Sequence, residues 1–149
     1  MSLVHVKTTI KAPVERVWET VMDPGQLERW VTIHRTLRNA PQPPLEKGAT
    51  MDQGMRMRGV NFSVHWTLVD LKPPSHAEWD GKGPANSRAK IRYELSSSGD
   101  GATEFEYFNE FTPPGGKLGS VASRVIVGAT SEREANKSLS RLKGLVERS

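Results

Sequence analysis

The chain has 149 residues, a formal net charge of +4 and no cysteine. This length suits one domain, 1–149, large enough to bury about two-thirds of the surface that its unfolded chain exposes. The lack of cysteine excludes disulfides, thiolate metal sites and a cysteine nucleophile.

The basic residues are dispersed, without a lysine or arginine run and without interleaved aromatic residues. A solvated surface therefore explains the charge better than a nucleic-acid site. No segment approaches the roughly 20 apolar residues of a membrane span, and the N-terminus lacks the regions of a secretory signal. The sequence predicts a cytoplasmic protein without nucleic-acid binding or stable membrane insertion, as a monomer or a weak dimer.

The first thirty residues predict a strand followed by two short helices. Apolar and polar residues alternate over 4–10, which is the period of a half-buried strand. Pro13 suits the first turn of a helix that stops before Asp23. Asp23 then caps a second short helix, which carries Trp30 inward.

The middle of the chain predicts a series of strands. One strand is predicted at 31–37, before a loop with three prolines. Five further strands, separated by turns rich in glycine and proline, are predicted at 50–58, 60–71, 76–82, 87–96 and 103–112. Consecutive strands joined by short turns form an antiparallel meander.

Alternation within these five strands separates an inner face from an outer face. The inner face collects most of the aromatic and methionine side chains. Its predicted members are Met51, Gln53, Met55, Met57, Phe62, Val64, Trp66, Leu68, Ala77, Trp79, Ala89, Ile91, Tyr93, Leu95, Phe105, Tyr107, Asn109 and Phe111. Large flat side chains on such a face either fill a core or line a pocket, and both uses are open.

The residues after the 113–116 Pro-Pro-Gly-Gly break have the pattern of a long amphipathic helix. Its apolar stripe consists of Leu118, Val121, Ala122, Val125, Ala129, Leu139 and Val146. Glu132 and Asn136 fall on the centre line of that stripe. Either they border a space beneath the helix, or a bend at Gly128 lifts them into solvent.

This order of elements resembles the START/Bet v 1-like superfamily, also called the polyketide cyclase/dehydrase or SRPBCC family. The matching segments are Val6-Lys7-Thr8-Thr9-Ile10-Lys11-Ala12-Pro13-Val14-Glu15-Arg16-Val17-Trp18, Asp23-Pro24, Leu27-Glu28-Arg29-Trp30 and the strand entry at Gly48. The resemblance implies an α+β helix-grip fold, with two short helices after the first strand. In that fold a curved antiparallel sheet of about seven strands wraps round the long C-terminal helix, with an apolar cavity between them.

Three shorter segments are similar to small actinobacterial members of the superfamily that are described as toxins of toxin–antitoxin pairs. They are Trp30-Val31-Thr32-Ile33-His34-Arg35, Val64-His65-Trp66-Thr67-Leu68-Val69 and Lys72-Pro73-Pro74. This similarity implies a protein partner, the antitoxin.

The chain lacks the spacing of the common catalytic and metal motifs. The four histidines, His5, His34, His65 and His76, lie in separate segments without a nearby acidic cluster, so we expect no metal and no other cofactor. No nucleophile elbow is present, and Gly81-Lys82-Gly83 is not followed by a helix. Gly115-Gly116-Lys117-Leu118-Gly119 does precede the predicted long helix, where its free amides could hold an anion, but a junction between a loop and a helix needs such glycines anyway.

Polar side chains within the apolar enclosure mark the expected site. The predicted ligand-binding residues are Met55, Val64, Trp66, Trp79, Tyr93, Tyr107, Asn109, Val125 and Glu132. A buried polar group without a partner costs roughly 1–3 kcal/mol, so the polar members should pair or bind a ligand. Glu132, Tyr93 and His34 are the candidates for proton transfer. Arg35 or Arg56 could instead pair with Glu132, and exposure of Glu132 to solvent is an equal alternative.

The sequence therefore predicts binding of a small, largely apolar molecule, such as a lipid, a polyketide or an isoprenoid-like compound. Two alternatives stay open. One is a cyclase or dehydratase that uses the same cavity, and the other is a toxin or another protein-interaction module.

Overall fold

Seven strands and three helices form the part of the chain that the computed structural model describes, residues 2–57, 59–112 and 132–148. The strands are β1 Ser2–Ile10, β2 His34–Arg38, β3 Thr50–Met57, β4 Val60–Lys72, β5 His76–Lys82, β6 Arg88–Ser97 and β7 Thr103–Thr112. The helices are α1 Val14–Val21, α2 Leu27–Trp30 and α3 Glu132–Arg148, with single 3₁₀ turns at Pro24–Gln26 and Pro84–Asn86.

The strands form one curled antiparallel sheet in the order β1-β7-β6-β5-β4-β3-β2. Strands β3 to β7 form the predicted five-stranded meander, and β2 extends it by pairing with β3. Strand β1 pairs with β7 along its whole length, from Ser2 opposite Phe111 to Ile10 opposite Thr103. Helices α1 and α2 connect β1 at one edge of the sheet to β2 at the other. The predicted α+β helix-grip architecture, with two short helices after the first strand, is confirmed.

The chain leaves α2 through a turn instead of entering a strand at once. We predicted a strand over 31–37, whereas β2 begins only at His34. The backbone N–H of Val31 donates to the Leu27 carbonyl, and that of His34 donates to the Val31 carbonyl. The first bond closes the last turn of α2, and the second closes a separate turn that begins at Val31, whose backbone is extended. Residues 31–33 therefore precede β2, although the Ile33 carbonyl accepts a hydrogen bond from the Arg56 N–H of β3.

The predicted inner face of the sheet is confirmed at every position. All its members from Met51 to Phe111 are buried or partly buried. Outer neighbours such as His65 and Lys90 are exposed, and His65 pairs there with Asp52. Because side chains alternate along a strand, the apolar pattern alone fixes which side forms the core.

Helix α3 packs against β1 and α2 through one apolar stripe. Its buried residues are Ala135, Ser138, Leu139, Leu142 and Val146. Glu132 and Asn136 are exposed, which corrects their placement on the centre of the stripe. The expected stripe was drawn through α3 together with residues 118–129, which lie outside the described residues. In α3 alone, the middle of the buried face lies near Ala135 and Leu142.

Gly81 on β5 leaves room for the side chains of Trp66 and Val64, which extend from the neighbouring strand β4. A Cβ atom there would lie 2.6 Å from the ring of Trp66 and 2.7 Å from a methyl of Val64. Gly81→Ala should therefore lower the free energy of unfolding in urea by about 1–3 kcal/mol.

Gly144→Ala is the matched control, because a Cβ at Gly144 would meet only the Arg148 side chain at ordinary contact distance, 3.5 Å. It removes a glycine from the interior of α3 and should raise the free energy of unfolding by about 0.5–1 kcal/mol. Equal stability of Gly81→Ala and the wild type would contradict the close packing at Trp66.

Candidate functional site

A cavity of about 90 Å³ opens between the inner face of the sheet and helices α2 and α3. Seven of the nine predicted ligand-binding residues line it: Met55, Val64, Trp66, Trp79, Tyr93, Tyr107 and Asn109. Their side chains come together because strand register places them in rows across the sheet. Trp79, Ile91 and Asn109 are consecutive cross-strand partners, and Tyr93 lies opposite Tyr107.

The other predicted site residues lie elsewhere. Glu132 is exposed and does not line the cavity, so its expected position in the site is corrected. Glu134, two residues along α3, is the glutamate that borders the cavity. His34 is partly buried beside the cavity without lining it, and Val125 lies outside the described residues.

Aromatic rings from α2 and the sheet form a continuous cluster along the cavity. The ring centroid of Tyr93 lies 6.1 Å from that of Trp30, 5.4 Å from that of Phe105 and 6.1 Å from that of Tyr107. Phe105 also meets Trp30 edge-on at 6.4 Å. Tilted and edge-to-face arrangements are favourable for aromatic pairs. The cluster therefore gives this wall of the cavity a defined shape.

Gln53 links the cavity to His34 by a chain of hydrogen bonds. The Trp66 indole N–H donates to Gln53 Oε1 at 2.8 Å, and Gln53 Nε2 donates to His34 Nδ1 at 2.9 Å. Since His34 Nδ1 accepts, the neutral imidazole carries its proton on Nε2. Burial lowers the pKa of His34, and the opposing charge of Glu28 raises it less. A neutral His34 thus positions Gln53 and Trp66 from outside the cavity.

Both tyrosine hydroxyls in the cavity wall stay protonated at neutral pH. Burial raises the pKa of Tyr107 to about 12, although a hydrogen bond with Asn109 acts in the opposite direction. Burial also raises the pKa of Tyr93, and the neighbouring Tyr107 adds to this rise. These groups can donate and accept hydrogen bonds, but they do not supply a base near neutral pH.

A small polar cluster ties the turn after α2 to helix α3 at the border of the cavity. Thr32 Oγ1 donates a short hydrogen bond to Glu134, and the Thr32 backbone N–H donates to Ser138 Oγ at 3.1 Å. Sequence reasoning missed these residues because Thr32 was assigned to a strand and the helical stripe was centred elsewhere. The polar residues at positions 134 and 138, one turn apart, were the available signal.

The family described as polyketide cyclase / dehydrase and lipid transport matches residues 1–147. The chain belongs to this family. The predicted superfamily resemblance is thereby confirmed.

One relative of this polyketide cyclase/dehydrase family member is named as a toxin. Toxin Rv0910 of Mycobacterium tuberculosis is 28% identical over 82 residues, which are 55% of this chain and 57% of the toxin. The match therefore spans just over half the length of that curated relative.

Solved structures share the fold at lower identity. The ZhuI aromatase/cyclase of Streptomyces sp. R1128 superposes with a TM-score of 0.81 at 14% identity, covering 99% of this chain and 94% of that chain. A conserved protein of Geobacillus kaustophilus gives a TM-score of 0.73 at 18% identity, covering 99% and 96%.

Within residues 2–57, 59–112 and 132–148, no group of three or more His, Cys, Asp or Glu side chains could hold a metal ion. In those ranges, no helix combines the length and the apolar character that crossing a bilayer requires.

The chain has two tyrosines, and both contribute to the cavity wall. Tyrosinate absorbance in an alkaline titration therefore reports on the site alone. An unfolded tyrosine ionises near pH 10, whereas the pKa of folded Tyr107 is raised to about 12. As the pH rises above about 10, the unfolded state releases these protons first and the free energy of unfolding falls.

We therefore expect tyrosinate absorbance and loss of the far-ultraviolet circular dichroism signal to appear together, well above pH 10. Ionisation of both tyrosines near pH 10 in a protein that keeps its circular dichroism signal would contradict this burial.

Proposed function

We propose that the protein binds a small, largely apolar molecule in the cavity between the sheet, α2 and α3. The supporting observation is that the predicted inner face surrounds a space of about 90 Å³ with mainly apolar and aromatic side chains. A lipid, a polyketide or an isoprenoid-like compound has the matching chemistry. The family description, which includes lipid transport, supports the same role.

Apolar burial supplies the affinity in this proposal. Removing apolar surface from water contributes about 25 cal/mol per Å² before the costs of association are subtracted. The space is smaller than the roughly 300–1,000 Å³ of most ligand pockets, so the walls must shift for a large ligand. Met51 and Met55 line the cavity and have flexible, polarizable side chains that allow this adjustment.

A cyclase or dehydratase is the second candidate, because the family description names those activities. Tyr107 is the residue best placed to contribute, since its hydroxyl accepts a hydrogen bond from Asn109 Nδ2 at 2.9 Å and keeps its own proton available. It would donate that proton, as a hydrogen bond, to a carbonyl oxygen of the substrate. If Tyr107→Phe kept ligand binding but lost turnover, the enzyme would be supported; absence of turnover in the wild type would exclude it for the substrate tested.

A toxin held by an antitoxin is the third candidate, and the partial match to toxin Rv0910 is its support. It requires a functional outer surface and a protein partner instead of a filled cavity. Growth arrest on expression, relieved by a co-expressed neighbouring gene product, would favour this candidate, and normal growth would count against it.

Ile91→Trp tests cavity binding against a matched substitution on the same strand. Ile91 lines the cavity, while the preceding residue, Lys90, is exposed on the outer face. The indole of Ile91→Trp should occupy the space and weaken binding of ethylbenzene, a small apolar probe, at least tenfold in calorimetric titrations, which corresponds to about 1.4 kcal/mol.

Lys90→Trp should leave that affinity unchanged. An equal loss in both variants would indicate a general effect on the fold, and equal, undiminished affinity in both would place the probe outside the cavity. In parallel, native mass spectrometry of freshly purified protein, followed by extraction, would identify the class of any ligand that copurifies.

A further inference from the structure

Three buried polar atoms that belong to cavity-lining residues have no hydrogen-bond partner in the part of the chain that the structure describes. They are Trp30 Nε1, Ser87 Oγ and Asn109 Oδ1. All three residues line the cavity, and their exposed fractions are only 1%, 1% and 8%. They come from different elements: the end of α2, the turn before β6, and β7.

Two further buried atoms, Asp80 Oδ1 and Arg92 Nε, also lack a hydrogen bond, but they do not line the cavity and each has a charged neighbour, Lys90 at 3.8 Å and Glu94 at 3.9 Å. The buried side chains of Gln53 and Thr103, by contrast, are paired. Gln53 uses both ends of its amide, and the buried hydroxyl of Thr103 donates to the Ala12 carbonyl at 2.7 Å. A buried donor or acceptor left unpaired costs about 1–3 kcal/mol, and native proteins keep few of them. The unpaired atoms in the cavity wall are therefore best explained by a partner that arrives with the ligand.

Two of the three atoms specify what that partner must offer. The Trp30 indole N–H is a donor only, so it requires an acceptor. Asn109 already donates from Nδ2 to the Tyr107 hydroxyl, which leaves the carbonyl oxygen of its amide to receive a donor. The Ser87 hydroxyl can take either role and does not discriminate.

Trp30 and Asn109 lie at the two ends of the aromatic row. Trp30 neighbours Tyr93, Tyr93 neighbours Tyr107, each with ring centroids 6.1 Å apart, and Asn109 bonds to Tyr107. A ligand would therefore need its acceptor near Trp30 and its donor near Asn109, separated by an apolar part that lies along the aromatic row. Among the described residues, the charged ones that border the cavity are Glu134, which is partly exposed, and Arg88, which is exposed, so neutral groups suit its interior.

We propose that Trp30 and Asn109 determine the ligand specificity of this cavity, selecting a neutral, largely apolar molecule with a carbonyl-type acceptor for Trp30 and a hydroxyl-type donor for Asn109. This inference rests on the proposed binding function. It distinguishes such a molecule from a plain hydrocarbon and from a fatty acyl chain without a hydroxyl group. Before binding, water can satisfy the same atoms, and a ligand that displaces this water must replace its hydrogen bonds to keep affinity.

Four single-ring probes of similar shape separate the two interactions. Ethylbenzene offers neither group, acetophenone adds an acceptor, para-ethylphenol adds a hydroxyl donor, and para-hydroxyacetophenone carries both. In calorimetric titrations of the wild type, acetophenone and para-ethylphenol should each bind roughly two- to tenfold more tightly than ethylbenzene, the range expected for one net hydrogen bond.

Variants assign each gain to its residue. Trp30→Phe should abolish the advantage of acetophenone and keep that of para-ethylphenol, while Asn109→Leu should do the reverse. Trp18→Phe is the matched control, because Trp18 is a partly buried tryptophan that does not line the cavity and whose indole nitrogen is not among the unpaired atoms. It should preserve both advantages. Since Trp30 is almost fully buried, thermal unfolding must first show that Trp30→Phe is folded.

The indole N–H resonance of Trp30 in the wild type gives a second readout that needs no stable variant. It should lie further downfield with acetophenone than with ethylbenzene, because both rings exert a similar ring-current shift but only acetophenone accepts its hydrogen bond. If ethylbenzene binds and the polar probes bind no better, or if their gains survive in both variants, this specificity is overturned while the binding function stands. If none of the four probes binds, the proposed function fails and this inference fails with it.

Discussion

The apolar inner face of the curled sheet must be covered, and the helices cover it. Part of the space between the helices and the sheet stays unfilled. Leu139, Leu142 and Val146 on α3 are almost fully buried and pack towards β1 and α2. One turn earlier, α3 presents Ala135 and Ser138, whose small side chains border the cavity. Because interiors are otherwise packed densely, a change from large to small residues along one helix determines where the space lies.

The wall around this space differs from an ordinary core in its polar content. The Trp66–Gln53–His34 chain is paired and holds its members in place, whereas the wall atoms of Trp30 and Asn109 are left without protein partners in the described residues. Such unpaired groups lower stability, and a binding site is a setting in which that cost is compensated when a ligand arrives. The same arrangement gives shape through aromatic rings and selectivity through two polar atoms.

The sheet could be predicted from sequence because its two signals are local. The period of two assigns Met51 and Trp79 to the inner face without knowledge of their partners, and glycine and proline mark the turns. Residues 31–33 were assigned wrongly because β-branched side chains favour strands, whereas the hydrogen bond from the His34 N–H to the Val31 carbonyl closes a turn here. Whether the indole N–H of the inward-facing Trp30 has a hydrogen-bond partner depends on tertiary contacts, which no sequence period encodes. The buried face of α3 could not be assigned correctly without knowing where this helix begins and ends.

A small apolar molecule that enters the space between the sheet and the helices must change the surroundings of the methionine methyl groups that line this space. Met51 and Met55 line the cavity, whereas Met22 is equally buried but does not line it. In a titration with ethylbenzene, we expect saturable shifts of the Met51 and Met55 methyl signals and an unmoved Met22 signal. Saturable binding that leaves Met51 and Met55 unmoved, or no binding at all, would contradict the proposed binding in this space.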